Sequence, residues 1–423
     1  MAIHRICKGV LRRSITIIIL FIVYLLNPII VIKVGRINNK VIGHLAMETD
    51  FSLHQVNKDY NKRVLCIWYF ASKSSSNFYL QELISKKLTI VPETIFAPVF
   101  EVIKRFSIFH RNIIPYYDFS TGTMYPGAKK ISTSYWSELA DTPGLNSFYT
   151  PHIEKYEILK RNLEISNTQI ACVHVRDSEF KTAEIVDNSK ILNVRPNYDA
   201  IRLREFRNSE IENFLPSASL FNRYGIDFIR VGKVMKKISD INPYNFIDYS
   251  ASKFQGEEND LLLIMNSKFF VGTLSGLGEV ARWARVPVFQ IDVGEFTYFS
   301  SAFTGCVKSV PVVLPKVIKS RETDEILSIN EVKKLRILQL NIRDFHDYIN
   351  SPRCPIILST NSSEVIGKTI ELGINYLDKK TEGNSSTDRF FRLGQDIFSN
   401  FYNLPNNGKY PAISPWWPNA LKD

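Results

Sequence analysis

Short apolar runs, set apart by polar or glycine-bearing segments, recur through most of the chain, and their period switches between strand-like and helix-like. The clearest case is Asn259 to Ile291, NDLLLIMNSKFFVGTLSGLGEVARWARVPVFQI. Asn259 and Asp260 read as a helix N-cap before the apolar run Leu261 to Met265. Phe269 to Val271 reads as a buried strand, Leu277 to Ala284 as a helix and Val286 to Ile291 as a second strand. Between the first strand and the second helix lies Gly272-Thr273-Leu274-Ser275-Gly276. Its glycines permit positive φ, it carries two hydroxyls, and it ends where a helix start offers backbone N–H groups and partial positive charge to a phosphate. Taken alone, the loop reads equally well as a tight turn in a strand-helix-strand connection.

The alternation continues on both sides. Ile15 to Leu26 predicts a helix and Ile29 to Val34 a strand. Gly35-Arg36-Ile37 and Asn38-Asn39 then lead to a helix from Ile42, with His44 near its start. The glycines at 35 and 43 allow a ligand to approach the backbone closely. Arg63 to Phe70 predicts a strand and Asn77 to Ser85 a helix, whereas Tyr116 to Pro151 is less periodic, either an acceptor-recognition loop or packing. A second series starts at Gln169 to Val175. A helical segment around Ile211 to Tyr224, interrupted by Pro216 and ended by Gly225, precedes strands at Asp227 to Val231 and Phe246 to Ser250. Strands near residues 170, 228, 247, 270 and 288 predict a doubly wound parallel sheet. Val310 to Val317 reads as a proline-punctuated connection, and Ser328 to Ile349, Ser363 to Asp378 and Arg389 to Asn400 carry helical patterns. Pro415-Trp416-Trp417-Pro418 is too aromatic for a free linker, and suits acceptor binding or core capping.

Polar residues bunched at the ends of such strands mark candidate chemistry, because open α/β sheets bind ligands outside the carboxyl ends of their strands. His174-Val175-Arg176-Asp177-Ser178-Glu179 follows the strand near residue 170. Arg176 has the fork to clamp a diphosphate, and Asp177 or Glu179 the chemistry of a general base. Arg230 and Lys233 place cations at the end of the next strand. His44 is a third candidate base or a phosphate contact.

Length and charge narrow the class. A chain of 423 residues with 45% hydrophobic and 22% charged residues has room for two or three cores. A net charge of +11 points to an anionic partner. The Lys and Arg residues are dispersed, without the basic blocks of a nucleic-acid module, so no nucleic-acid partner is expected. Five widely spaced cysteines, none in a C-x-x-C, imply neither a disulfide framework nor a zinc site and favour a reducing compartment. Cys66 and Cys172 fall in apolar runs and read as core. Arg5, Lys8, Arg12 and Arg13 precede the apolar run Ile15 to Ile32, which Asn27-Pro28 breaks. The run favours a short membrane-dipping helix over a single-pass anchor, which stays open, and no small-residue site for a cleaved signal follows it.

The motifs GRI…IGHLAMETD, VHVRDSEF, RNSEIENF…GIDFIRVGK and FFVGTLSG together resemble the fucosyltransferase-like GT-B glycosyltransferases, more closely a group of bacterial glycosyltransferases found with surface-polysaccharide genes. The likeness covers roughly residues 29 to 300. It implies an α/β GT-B fold, two Rossmann-like domains with a cleft between them. The corresponding bounds are 1–28 for the membrane-associating helix, 29–165 for the acceptor domain, 166–345 for the donor domain and 346–423 for terminal helices and an aromatic tail packing across the domains. The resemblance places a nucleotide-sugar donor, GDP-linked in the named enzymes, on Arg176, Asp260, Thr273 and Ser275, with His174, Arg230, Gly272 and Gly276 beside them. Where those enzymes carry a second Arg, this chain has Asp177, which leaves sugar and nucleotide open. No D-x-D motif occurs, so the expected reaction is an inverting hexosyl or deoxyhexosyl transfer without metal or further cofactor. Asp177, Glu179 and His44 are the candidate bases. The expected acceptor is a glycan or lipid-linked glycan, at the cytoplasmic face of the cell membrane. An epimerase-like sugar-nucleotide enzyme and an inactive binding protein of the same fold are the alternatives.

Overall fold

In the computed structural model, residues 2–59, 63–118, 123–125, 153–176, 205–233, 238, 246–294, 312–337, 340, 342–378 and 412–422 are described. They divide into two compact units, one within Met1–Ser132 and one within Pro151–Asp423.

The first unit is built on two parallel strands, β1 (Val31–Ile37) and β2 (Val64–Phe70), joined by the helix Ile42–Asp59. Single parallel bridges, Ile113 to Val34 and Ile90 to Trp68, extend the pair on both sides. The N-terminal helix Ala2–Leu26 and the helix Glu93–Arg105 pack on one another and on β1. Val99, Phe100 and Ile103 meet Val34, Ile67 and Tyr69 in a core that Ile19 and Leu20 flank. The first helix ends where Pro28 predicts. It begins well before Ile15, because the Arg- and Lys-bearing turns ahead of the apolar run are themselves good helix formers. Gly35 does not open the backbone to a ligand. It lies within β1, where a Cβ would stand 2.5 Å from the Trp68 ring, so the glycine is required by core packing.

The second unit carries a seven-stranded parallel sheet of order β13-β10-β9-β8-β5-β6-β7. Its strands are β5 (Gln169–His174), β6 (Ile226–Arg230), β7 (Phe246–Ile247), β8 (Phe269–Gly272), β9 (Val288–Val293), β10 (Val312–Pro315) and β13 (Ala412–Ile413). The helices Ser217–Arg223 and Ser363–Leu377 cover one face, and Ile153–Asn162, Glu257–Met265 and Gly276–Trp283 the other. This is the doubly wound α/β arrangement the strand spacing predicts. Stacked rings fill the first face, Phe221 on Phe228 at 4.5 Å and Phe269 on Phe289 at 5.3 Å.

Several sequence expectations are corrected. The helix before β8 starts at Glu257 with Gly256 as its N-cap, so Asn259 and Asp260 lie inside it. Val310 to Val317 is not a connection: it holds β10 and the start of β11 (Val317–Ser320), which pairs antiparallel with β12 (Ile356–Ser359). Ser328 to Ile349 divides into helices Ile329–Lys334 and Ile342–Ile349. The aromatic tail docks on the sheet edge, where β13 pairs with β10 and the Trp417 indole N–H donates to the Lys316 carbonyl at 2.9 Å. Tyr116–Asp118 and Thr123–Tyr125 form a small antiparallel pair, β3 and β4. The rest of Tyr116 to Pro151, and the expected helix at Arg389 to Asn400, lie outside the described residues.

Candidate functional site

From β5 the chain runs outward through β6 and β7, then crosses back to β8 on the other side of β5 and continues outward through β9 and β10. The direction of winding therefore reverses between β5 and β8, and a crevice opens outside their carboxyl ends. His174, Val175 and Arg176 leave β5 there, beside the loop Gly272 to Gly276 leaving β8.

The local sequence is dictated by this close approach. A Cβ on Gly272 would stand 2.1 Å from the His174 carbonyl oxygen, so only glycine lets the two strand ends meet. The Thr273 N–H donates to that carbonyl at 3.3 Å, and the Thr273 hydroxyl accepts the Arg176 N–H at 2.9 Å. Ser275 is the N-cap of the helix Gly276–Trp283, its hydroxyl accepting the Gly278 N–H at 3.2 Å. In these bonds each hydroxyl serves as an acceptor, which leaves its own proton to donate to an anionic oxygen. Arg176 is half-buried at this point, next to a helix start that favours negative charge.

The β6 end closes against the same place. Gly232 has φ +90, and a Cβ there would meet the His174 ring at 2.7 Å and Leu277 at 2.6 Å. Its N–H donates to the Asp260 carboxylate at 2.8 Å, which also accepts from the Gln255 amide at 3.2 Å. Asp260 is buried, and burial raises its carboxyl to about 7, against the lowering effect of the Gly232 bond. The structure thus turns Asp260 to the chain itself, holding the β6 end against His174. Arg230 is 1% exposed and pairs with Asp248 at 3.3 Å, so its charge is matched within the fold.

A polar node absent from the sequence reading anchors the neighbouring strand ends. Asp292, at positive φ in β9, accepts the Ser209 hydroxyl, the Asn361 N–H at 2.9 Å and the Asn361 side-chain amide at 2.6 Å. The Ser209 N–H donates to the Arg176 carbonyl at 3.4 Å, and the Lys316 ammonium donates to the Asn208 carbonyl at 2.8 Å. Residues 208 and 209 therefore strap the ends of β5, β9 and β10 together. Burial lowers the Lys316 pKa, while nearby Asp292 opposes the shift. A carboxylate inside the apolar run VFQIDV was the signal available in the sequence. Asn361 opens an Asn-Ser-Ser tripeptide, yet it is 1% exposed and its amide is engaged twice, which does not suit a glycosylation acceptor.

His44 lies in the first unit, in the first turn of its helix, with Nδ1 3.7 Å from Glu48. The other Glu48 oxygen accepts the Asn38 N–H at 2.6 Å. Asp177 and Glu179 lie outside the described residues. Among the described residues no cluster of His, Cys, Asp or Glu is arranged to hold a metal ion.

No protein-family model matches the sequence, and no curated protein does. Solved structures with a partly similar course of chain include a glycosyl transferase family 9 protein from Veillonella parvula, at 11% identity, 80% of this chain and 96% of that one, with a TM-score of 0.39. Another is the ADP-heptose lipopolysaccharide heptosyltransferase II of E. coli, at 10% identity, 67% and 85% coverage and a TM-score of 0.33. A third is the dodecameric iron-containing heptosyltransferase TibC with ADP-D-β-D-heptose, at 13% identity, 82% and 76% coverage and a TM-score of 0.36.

Proposed function

We propose that the chain is a GT-B glycosyltransferase that transfers a sugar from a nucleotide-sugar to a hydroxyl of a glycan or lipid-linked glycan in surface-polysaccharide synthesis. The observation that carries this reading is the Arg176–Thr273 junction at the β5–β8 crevice, which brings the half-buried residue Arg176 to the same strand ends as two hydroxyls and a helix start. Such a set is matched to a diphosphate: the guanidinium offers a planar fork, the hydroxyls donate, and the helix start adds partial positive charge.

In this reading a base removes the acceptor hydroxyl proton as the oxygen attacks the anomeric carbon. The bond from that carbon to the diphosphate oxygen breaks, configuration inverts, and the nucleoside diphosphate leaves with the electron pair. Arg176 and the Gly272 to Gly276 loop stabilise the charge that develops on it, which needs no metal in principle. Asp177, Glu179 and His44 are the proposed bases, and the N-terminal unit is assigned the acceptor.

The test is a thermal-shift and calorimetric screen against GDP, UDP, ADP, CMP and TDP, with and without Mg²⁺. A selective nucleoside diphosphate should raise Tm by mass action, independently of Mg²⁺. Arg176→Ala should weaken that binding by roughly 1.5–3 kcal/mol without lowering the Tm of the unliganded protein. A protein that answers none of the nucleotides, or binds one equally well without Arg176, is not the transferase described.

A further inference from the structure

The N-terminal helix is apolar on both sides. Val23 is buried, and Ile19 and Leu20 pack on the core of the first unit, on the side of the helix that meets Glu93–Arg105 and β1. The opposite side carries Val10, Leu11, Ile17, Ile18, Phe21, Ile22, Tyr24 and Leu25, all exposed, with Ile17 at 66%, Phe21 at 61% and Leu25 at 54%. At 100° per residue these positions fall in one continuous arc of about 160°, within which, between Val10 and Leu25, Ser14 and the Tyr24 hydroxyl are the polar groups. A helix whose packed side and open side are both apolar needs a second apolar medium.

Charge decides what that medium is. The sequence of this helix holds Arg5, Lys8, Arg12 and Arg13 and no acidic residue. Its C-terminal end is pinned to the segment Ser107–Asn112 by reciprocal amide bonds between Asn27 and Asn112, at 2.8 and 3.2 Å. Phe106 and Ile108, 56% and 66% exposed, stand there with Lys104, Arg105 and Arg111 in the same stretch of chain. Glu93 and Glu101 on the packed helix Glu93–Arg105 are outnumbered by these cations, and exposed apolar side chains with such an excess of positive charge are matched to an anionic bilayer surface, where acyl chains take the former and headgroup phosphates the latter. No helix among the described residues is long and apolar enough to cross a membrane.

We infer that this helix lies in the plane of an anionic membrane, with the arc from Val10 to Leu25 sunk to the acyl boundary and the opposite side packed on its own unit. The inference stands on the first unit alone and is independent of the nucleotide site.

The test is sedimentation of the full chain with vesicles of phosphatidylcholine, with and without 30% phosphatidylglycerol, alongside size-exclusion analysis without lipid. The protein should pellet with the phosphatidylglycerol vesicles and be released by salt. The Ile17→Ser/Phe21→Ser/Leu25→Ser triple variant should lose roughly tenfold or more in partitioning, with unchanged circular dichroism and nucleotide response. Arg12→Glu/Arg13→Glu should lose a comparable factor for the anionic vesicles. Failure of the wild-type chain to bind either vesicle overturns the inference, as does binding indifferent to the apolar triple variant. A wild-type dimer that the triple variant converts to monomer, without vesicle binding, would instead make the arc a contact between copies. If the triple variant fails to fold, the lipid and salt dependence of the wild-type chain and the charge-reversed variant decides the question.

Discussion

The Thr273 hydroxyl accepts the backbone N–H of Arg176 at 2.9 Å, which joins the end of β8 to the end of β5 at the point where the sheet reverses its winding. A side chain on one strand end therefore sets the backbone that carries the guanidinium on the other, and the two should respond to mutation as a unit.

Thr273→Val keeps the shape and removes the acceptor. The orphaned Arg176 N–H should cost about 1–3 kcal/mol of stability in urea unfolding, with a larger proportional loss of nucleoside-diphosphate affinity by calorimetry. Thr273→Ser should restore most of both. Normal affinity in a destabilised Thr273→Val would separate the junction from the site.

Gly272→Ala should be among the most damaging small substitutions in the chain, since the new methyl would meet the His174 carbonyl at 2.1 Å. A loss of about 3 kcal/mol or more, or failure to fold, is expected. Gly367→Ala is the control. It lies in the helix Ser363–Leu377 with nothing within 4 Å of the added carbon, and should stabilise by about 0.5–1 kcal/mol. Equal effects at the two positions would refute the packing argument.

Asp260 sets a pH dependence whose sign is fixed. Burial holds its folded carboxyl near 7, above the 3.8 of an unperturbed group, so between about pH 4 and 7 the folded chain retains a proton that the unfolded chain has lost. Folding stability at this site should fall as pH rises through that window, by about 1.4 kcal/mol per pH unit at most, and level off above pH 7. Asp260→Asn, which can still accept the Gly232 N–H, should lack that slope in denaturation measured from pH 4 to 8.

Asp292→Ala should cost on the order of 3–5 kcal/mol, because Asn361 and Ser209 lose a buried acceptor and Lys316 its neighbouring anion. Asn361→Ala should repeat part of the loss, and the double variant should fall short of the sum. Strict additivity in chemical denaturation would mean that the node is not one network.

The sequence by itself determined the order and type of most elements around the site. Apolar runs as short as Phe269 to Val271, bounded by a glycine loop and a helical pattern, leave few alternatives to a buried parallel strand. Pro216, Gly225 and Pro28 marked breaks because their backbone chemistry permits little else. The same local reading put the loop Gly272 to Gly276 ahead of a helix and Arg176 just past a strand. Tertiary structure decided what each polar group faces, because hydrogen-bond partners are set by strand order and not by distance along the chain. Thr273 meets Arg176 across 97 residues, and Asp292 meets Asn361 across 69. Asp260, which reads locally as a helix cap, is drawn to Gly232 because β6 ends beside that helix. Val312 to Pro315 becomes a strand once β9 and the tail strand β13 supply its partners. The outward arc of the N-terminal helix was likewise hidden in an apolar run, since only the packing of its other side shows which residues stay uncovered.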